Sequence, residues 1–249
     1  AEDTDFELTL SAVDVDGDAV TFDAAVDGNG SASISGNALT VTPAADYNGD
    51  IAVTVSASDG SLTDIGTFTL TVTSVNDAPV VASISDQAID EDTSLVFEVS
   101  ATDVDGDTVT FDAAVDGNGS ASVSGNTLTV TPAGDYNGDI TVTVSASDGL
   151  LTGTGTFTLS VTPVNDAPVV DTVGAQSVAE DTDFELTLSA VDVDGDAVTF
   201  DAAVDGNGSA SISGNALTVT PAADYNGDIA VTVSASDGSL TDIGTFTLT

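Results

Sequence analysis

Acidic and amide side chains are gathered in five short motifs that recur along this sequence and could bind a divalent cation. Calcium prefers about six to eight oxygen ligands, taken from carboxylates, amide carbonyls and backbone carbonyls. Asp and Asn in loops supply such oxygens, and Gly lets the loop backbone turn inward. We therefore predict calcium sites in these loops. In the middle of the chain the motifs are Glu91-Asp92, Asp103-Val104-Asp105-Gly106-Asp107, Asp135-Tyr136-Asn137-Gly138-Asp139, Ala146-Ser147-Asp148-Gly149 and Asn165-Asp166.

The Asp-x-Asp spacing of the second motif suits a shared ion. In an extended segment Asp103 and Asp105 project to the same side, whereas Val104 faces the other way. An EF-hand loop does not match, because it needs Gly sixth and Glu twelfth, and counting from Asp14 the glycine is fourth and the twelfth residue is Ala25. The glycine-rich nonapeptide of calcium-binding β-helices is also missing. A plain solvated turn is the alternative, since Asp and Gly favour turns.

The charge balance also points to cations. The chain has 42 Asp and Glu and no Lys, Arg or His. Two carboxylates about 4 Å apart repel by roughly 4 kcal/mol at an effective dielectric of about 20. Clustered carboxylates must therefore be solvated, protonated or neutralised by bound ions. Nucleic acid and anionic membranes are excluded as partners, because phosphate contacts need Lys or Arg.

The sequence lacks the residues that most other kinds of site or crosslink require. There is no Cys for disulfides, no Lys for isopeptide crosslinks, and no apolar run of transmembrane length, so we predict no direct membrane insertion. The usual catalytic bases and nucleophiles, His, Cys and Lys, are absent. A carboxylate pair can hydrolyse glycosides only within a shaped cleft, which near-copies of a small domain do not offer. We predict that the chain is not an enzyme.

The sequence repeats every 89 residues, and residues 2–71 are identical to residues 180–249. We place boundaries after Asp77 and Asp166, within Asn-Asp-Ala-Pro linkers that proline stiffens. The predicted domains are 1–77, lacking its first strand, 78–166, which is complete, and 167–249, truncated in its last strand. The chain begins without Met and out of phase with its own repeat, so we expect an excerpt of a longer polypeptide.

Within each copy the hydrophobic period is two, which predicts strands. Residues 95–101, 140–145 and 157–162 alternate between apolar and polar side chains, and residues 116–119 carry a hairpin-turn signal. About seven short strands per repeat indicate an all-β fold of tandem Greek-key β-sandwiches. The middle copy exchanges the Phe and Leu at two neighbouring inward positions, which conserves core volume.

In their order, the five motifs resemble those of cadherin repeats. The cadherin pattern has a Glu near the first strand, then Asp-x-Asp, Asp-Arg-Glu, Ala-x-Asp-x-Gly and an Asx-rich linker that ends in Pro. Asp46-Tyr47-Asn48 keeps only the Asp of Asp-Arg-Glu. With their Val-Asn-Asp-Ala-Pro linkers, the repeats look most like the cadherin-like or Ig-like repeats of large RTX-type bacterial surface adhesins.

This resemblance implies calcium ligands from both sides of each linker. The first junction would use Glu2, Asp46, Asn76, Asp77, Asp103, Asp105 and Asp148. The second would use Glu91, Asp135, Asn165, Asp166, Asp192, Asp194 and Asp237. Asp14, Asp16 and Asp59 would serve a preceding junction, Glu180 and Asp224 a following one, and Asp18, Asp107 and Asp196 are further candidates.

Three functions follow as hypotheses. The chain could be a calcium-rigidified stalk of an extracellular adhesin, whose partners are the adjacent repeats of one long chain. It could be the subunit of a self-assembling filament or biofilm-matrix fibre, in contact with other copies. It could also be a module that binds a ligand or carbohydrate directly. Extracellular modules bind calcium with dissociation constants of roughly 10⁻⁴–10⁻³ M, which suits the cell surface.

Overall fold

The computed structural model describes residues 1–249 as strands, turns and irregular segments without a helix. It therefore has no helix long and apolar enough to cross a membrane. The strands fall into three groups, one for each copy of the repeat. The predicted all-β architecture of tandem sandwiches is confirmed.

The first repeat has six strands: β1 (Phe6–Thr9), β2 (Thr21–Val26), β3 (Gly30–Ser35), β4 (Ala38–Pro43), β5 (Gly49–Ser58) and β6 (Thr63–Val72). The second has nine: β7 (Val80–Val81), β8 (Gln87–Asp90), β9 (Leu95–Glu98), β10 (Ala101–Thr102), β11 (Thr110–Val115), β12 (Gly119–Ser124), β13 (Thr127–Pro132), β14 (Gly138–Ser147) and β15 (Thr152–Thr162). The third has eight: β16 (Val169–Val170), β17 (Phe184–Thr187), β18 (Ala190–Val191), β19 (Thr199–Val204), β20 (Gly208–Ser213), β21 (Ala216–Pro221), β22 (Ile229–Ser236) and β23 (Thr241–Leu248).

The second repeat shows the full sandwich topology. One sheet has the order β11-β14-β15-β8, the facing sheet has the order β12-β13-β9, and β7 pairs with β10. All these pairs are antiparallel except β15 with β8, where Leu159 lies opposite Gln87 in a parallel register. The chain thus crosses between the two sheets four times, from β8 to β9, from β9 to β11, from β11 to β12 and from β13 to β14, as in a Greek-key sandwich.

Apolar side chains at alternate positions form the core between the two sheets. On β14, Ile140, Val142, Val144 and Ala146 are fully buried, while the residues between them face outward or lie at intermediate depth. Burying one such Val, Leu or Ile contributes roughly 1.5–3 kcal/mol. Each repeat has its own cluster of this kind, so each has a separate core.

The exchange of Phe and Leu in the middle copy has a structural explanation. Phe6 of the first repeat contacts Phe68, with ring centroids 6.2 Å apart. In the second repeat Phe97, two residues further along the strand, reaches the equivalent Phe157 at 5.7 Å. Both positions face the same core, so the aromatic pair survives the exchange.

Candidate metal centres at the repeat junctions

The first linker is held against the second repeat by polar contacts. Asn76 donates a hydrogen bond from Nδ2 to Oδ2 of Asp148 over 2.7 Å. The backbone N–H of Asp77 donates to Oδ2 of Asp105 over 2.8 Å. The second linker repeats this arrangement, because Asn165 donates to Asp237 over 2.7 Å and the Asp166 N–H donates to Asp194 over 2.8 Å.

The linker also covers an acidic side chain of the repeat before it. Glu2 is only 3% exposed, and its carboxylate accepts a hydrogen bond from the N–H of Val75. Glu91 is 2% exposed and accepts from the N–H of Val164 over 2.6 Å. Glu180, the same residue of the third repeat, has no linker over it and is exposed. Contact with the linker therefore buries the carboxylates of Glu2 and Glu91.

Carboxylates from the two sides of each linker converge. Oxygens of Glu2, Asp77 and Asp105 lie within 4.8 Å of one another, and so do oxygens of Asp3, Asp46 and Asp77. Asp77 thus belongs to two adjacent clusters. At the second junction the clusters are Glu91 with Asp166 and Asp194, and Asp92 with Asp135 and Asp166.

Several buried carboxylate oxygens at these junctions have no hydrogen-bond partner. Asp103 uses Oδ1 to accept from the N–H groups of Asp105 and Asp107, at 3.1 and 3.2 Å, but its buried Oδ2 has no partner. The Oδ2 atoms of Asp77, Asp166 and Asp192 are buried and unpartnered in the same way. A buried carboxylate oxygen without a partner is costly, and a hard cation satisfies it.

A tight turn brings Asp46 to the junction. Asp46 and Asp3 both have left-handed backbone conformations, with φ of 56° and 55°, which short polar side chains tolerate better than most. The N–H of Asp46 donates to Oδ1 of Asp3 over 3.2 Å. The hydroxyl of Tyr47 donates to the carbonyl of Asp50 over 2.9 Å, and its ring packs against the core. Tyr47 thus holds the loop in place as a packing residue.

The family model for the bacterial Ig domain matches residues 1–71, 76–162 and 165–249. The chain belongs to this family. No curated protein has a matching sequence. The chain therefore carries three bacterial Ig domains, in agreement with the Ig-like repeats expected from the sequence.

Solved structures with a similar fold are distant in sequence. The human desmocollin-1 ectodomain is 15% identical over 96% of this chain and 56% of its own, with a TM-score of 0.47. Mouse protocadherin-24 EC1-3 is 19% identical over 97% of this chain and 91% of its own, with a TM-score of 0.46. An endo-fucoidan hydrolase of glycoside hydrolase family 107 is 16% identical over 99% and 42%, with a TM-score of 0.35. The Ig domains here span about half the length of the first and third of these proteins.

The electrostatics of Asp77 and Asp166 reflect the junctions between Ig domains. Burial, followed by repulsion from Asp105, Asp46, Glu2 and Asp3, raises the pKa of Asp77 above its ordinary value. For Asp166 burial is again the first cause, and the carboxylates of the second junction add to the rise in pKa. Without a counter-ion, these two groups resist ionisation.

Asp148 and Asp237 behave in the opposite way. Backbone N–H groups, Leu151 foremost, and the amide of Asn76 lower the pKa of Asp148. Asp237 has a lowered pKa for the same reasons, with Leu240 and Asn165 as donors. These carboxylates are kept ionised by hydrogen bonds and anchor the linker.

Of the ligands predicted for the two junctions, the clusters contain Glu2, Asp46, Asp77 and Asp105 at the first and Glu91, Asp135, Asp166 and Asp194 at the second. Asn76, Asp103, Asp148, Asn165, Asp192 and Asp237 belong to no cluster of three carboxylates. For the first junction, Asp46, Asp77 and Asp103 also line one cavity of about 430 Å³. Asp107 and Asp196 do not join a cluster, and each only donates its backbone N–H to the first Asp of its loop. At the outer ends of the chain the predicted ligands form no cluster of three: Asp14, Asp16, Asp18, Asp59, Glu180 and Asp224.

Sequence reasoning missed Asp3 and Asp92 as candidate ligands. From each Glu-Asp pair only the Glu was taken as a ligand, whereas the structure places the Asp in the neighbouring cluster, Asp3 with Asp46 and Asp77, and Asp92 with Asp135 and Asp166. Asp3 and Asp92 have left-handed backbone conformations, with φ of 55° and 59°, which the residue spacing does not reveal. The recurrence of the Glu-Asp pair in every repeat is the signal that could have found them.

Proposed function

We propose that this chain is a segment of an extracellular stalk in which calcium at each linker holds successive Ig domains in one orientation. Domains of this kind serve as extracellular adhesion or structural repeats. Within that role, we propose specifically the calcium-dependent stalk of a secreted bacterial adhesin.

The observation that carries the proposal is the position of Asp77. Its carboxylate belongs to two acidic clusters, one of which includes Asp105 of the next domain. The chain has no cationic side chain to neutralise them. Oxygen-only donors, several of them buried and unpartnered, fit a hard divalent cation such as calcium.

Calcium would supply the positive charge that lets these carboxylates remain close together. Residues of the chain position the linker and present the oxygen ligands. Glu2 fixes the start of the linker, Asn76 and Asp77 bind it to the next domain, and Asp103 and Asp105 present oxygens from that domain. Without the cation, repulsion at Asp77 favours a linker that separates from the next domain.

Small-angle scattering of the 249-residue chain tests the proposal. We expect a longer maximum dimension and a narrower distribution of shapes in millimolar calcium than in chelator. Magnesium should be a weaker substitute, since it demands octahedral geometry and gives up its water reluctantly. A variant with Asp77→Asn and Asp166→Asn should show little response to calcium. An unchanged maximum dimension between calcium and chelator would overturn the stalk proposal.

A further inference from the structure

The two sheets of the second domain end in four edge strands, and only one of these carries no charge. The sheet orders β11-β14-β15-β8 and β12-β13-β9 place β11, β8, β12 and β9 at the edges. Three of the edges expose a carboxylate: Asp112 on β11, Asp90 on β8 and Glu98 on β9. The fourth, β12, has neither a carboxylate nor a proline, and residues 117–134 around it contain no Asp or Glu.

The same uncharged edge recurs in the other two domains. β3 and β20 also lie at the end of a three-stranded sheet. Both have the sequence Gly-Ser-Ala-Ser-Ile-Ser, from which β12 differs only at Val123. We call β3, β12 and β20 the neutral edges. Charged side chains and proline are the usual means by which a protein keeps an edge strand from pairing with another chain, and the neutral edges lack both.

Pairing with β13 determines which backbone groups of β12 are free. The N–H of Ala133 donates to the carbonyl of Asn118 over 2.8 Å, one position before the ladder of β12 begins. Hydrogen-bonded residues alternate along an antiparallel strand, so the even-numbered residues of β12 bond to β13 and the odd-numbered ones direct their N–H and C=O groups outward. The outward residues are Gly119, Ala121 and Val123. No strand lies on that side of β12.

Charge favours a second copy of the chain as the occupant of this edge. Each chain has 42 Asp and Glu and no cationic side chain, so two copies repel wherever their carboxylates meet. Two neutral edges that face each other bring no carboxylate into the new strand pair, whereas β11, β8 or β9 would bring at least one. A basic partner would instead be attracted to the edges that carry carboxylates.

The free backbone groups also define the register of such a pair. Two antiparallel β12 strands use all three outward residues only when Ala121 lies opposite Ala121 of the second copy. Gly119 then lies opposite Val123, and about six hydrogen bonds form between the strands. Ser120 of one copy lies opposite Ser122 of the other. The contact is self-complementary, as a two-fold interface requires.

We propose that two copies of this chain associate side by side through their neutral edges, which joins the three-stranded sheets of two Ig domains into one six-stranded sheet by β-strand addition. One such pair is weak, because each backbone hydrogen bond contributes little net free energy. Each chain has three neutral edges, so pairing at more than one domain strengthens the association. The contact uses no calcium ligand and is therefore independent of the stalk proposal.

Disulfide trapping tests both the pairing and its register, because the chain has no Cys of its own. A full chain with Ser120→Cys is mixed with a full chain with Ser122→Cys in a glutathione redox buffer. The buffer contains chelator and about 1 M sodium chloride, which shortens the Debye length to about 3 Å. The two Cys would face each other with Cα atoms about 4.5 Å apart, a distance that permits a disulfide.

We expect the mixed dimer to exceed either homodimer by about tenfold, because two copies of the same position lie diagonally about 7–8 Å apart, beyond disulfide range. Thr154→Cys and Thr156→Cys provide the matched control pair. Both residues are exposed on β15, which lies between two other strands of its sheet. Their mixed dimer should show no such excess.

Proline at the centre of every neutral edge is the decisive variant: Ala32→Pro, Ala121→Pro and Ala210→Pro. The N–H that each change removes points away from the sheet, where an edge strand tolerates proline. Sedimentation of the full chain in the same buffer should show self-association, which the variant should weaken by at least about tenfold. Circular dichroism checks that the variant keeps its strands.

A second set of variants tests the same edges without proline. Ser33→Glu, Ser122→Glu and Ser211→Glu add a carboxylate to each neutral edge at an exposed position. The control set adds equal charge on exposed positions of β6, β15 and β23: Thr67→Glu, Thr156→Glu and Thr245→Glu. At about 0.1 M salt, where the Debye length is about 10 Å, the edge set should associate more weakly than the control set.

Three outcomes would refute side-by-side pairing. They are a mixed dimer no more abundant than that of the Thr154 and Thr156 pair, equal association of the edge and control sets, and a chain that stays monomeric in high salt at every concentration. Association that requires calcium and that sodium chloride does not support would show carboxylates bridged between chains, and would also refute it. None of these results bears on whether calcium lengthens the single chain.

Discussion

Asn76 and Asp148 are 72 residues apart in the sequence, yet their side chains share a 2.7 Å hydrogen bond that ties the first linker to the loop at Asp148. The same relation joins Asn165 of the second linker to Asp237. Asp59, the equivalent of Asp148 in the first domain, accepts only from its own loop, at Ser61 and Leu62. The loop at Asp59 or Asp148 therefore forms without a linker, and a junction adds one further hydrogen bond, from the side-chain amide of the linker Asn.

Replacing Asn76 with Ala should loosen the first junction. The variant leaves the Asp148 carboxylate without its amide partner, so the two domains should sample more orientations in calcium. Residual dipolar couplings or scattering would detect this. Asn226→Ala, at an exposed site away from both junctions, is the control and should leave the distribution of shapes unchanged. Equal rigidity of the two variants would contradict the anchoring role of Asn76.

Glu91→Gln should weaken calcium binding at the second junction. Glutamine can still accept the hydrogen bond from Val164, so the change removes charge and keeps shape. We expect the calcium affinity of that junction to fall by about tenfold, equivalent to 1.4 kcal/mol, in isothermal titration. Glu98→Gln, on the exposed side of β9, provides the comparison with equal loss of charge. A matching loss of affinity in both would mean that net charge alone sets binding.

Calcium affinity should fall as the pH approaches the ordinary Asp pKa of 3.8 from above. The pKa values of Asp77 and Asp166 are raised in the assembled junction, so the metal-free assembled form holds protons that the separated form has already released. Acidification thus stabilises the metal-free junction, and this stability is lost as pH rises through the raised pKa. Calcium must displace those protons.

Calorimetry in buffers of different ionisation enthalpy would measure the displaced protons at pH values slightly above 3.8. Proton release should disappear in the Asp77→Asn and Asp166→Asn double variant. Proton uptake on calcium binding would be the opposite of what the two raised pKa values require.

In the second domain, Leu95 and Phe97 should be replaceable by the Phe and Leu of the first domain only when both are changed together. Phe97→Leu alone removes the ring that contacts Phe157 and should cost roughly 0.5–1.5 kcal/mol for the aromatic pair, in addition to the packing loss. Adding Leu95→Phe restores the arrangement of the first domain and should recover most of the free energy of unfolding. Urea titration of the three chains would measure both steps, and an additive double variant would argue against a shared core position.

Much of this molecule follows from sequence alone. Period-two alternation and hairpin turns are local properties, and they predict the strands because each strand needs only one apolar face. The 89-residue repeat and the proline linkers indicate the number of domains, and the order of the acidic motifs suggests which loops meet. The boundaries after Asp77 and Asp166, and calcium itself, stay predictions.

Tertiary structure decided the rest. Asp3 and Asp92 join the clusters only because their backbones adopt a left-handed conformation that residue spacing does not reveal. Glu2 and Glu180 have identical sequence surroundings on their C-terminal side, yet one is buried and the other exposed, because a linker covers only the first. Burial and charge repulsion arise where separate segments of the chain meet, so the raised pKa of Asp77 is a property of the assembled domains.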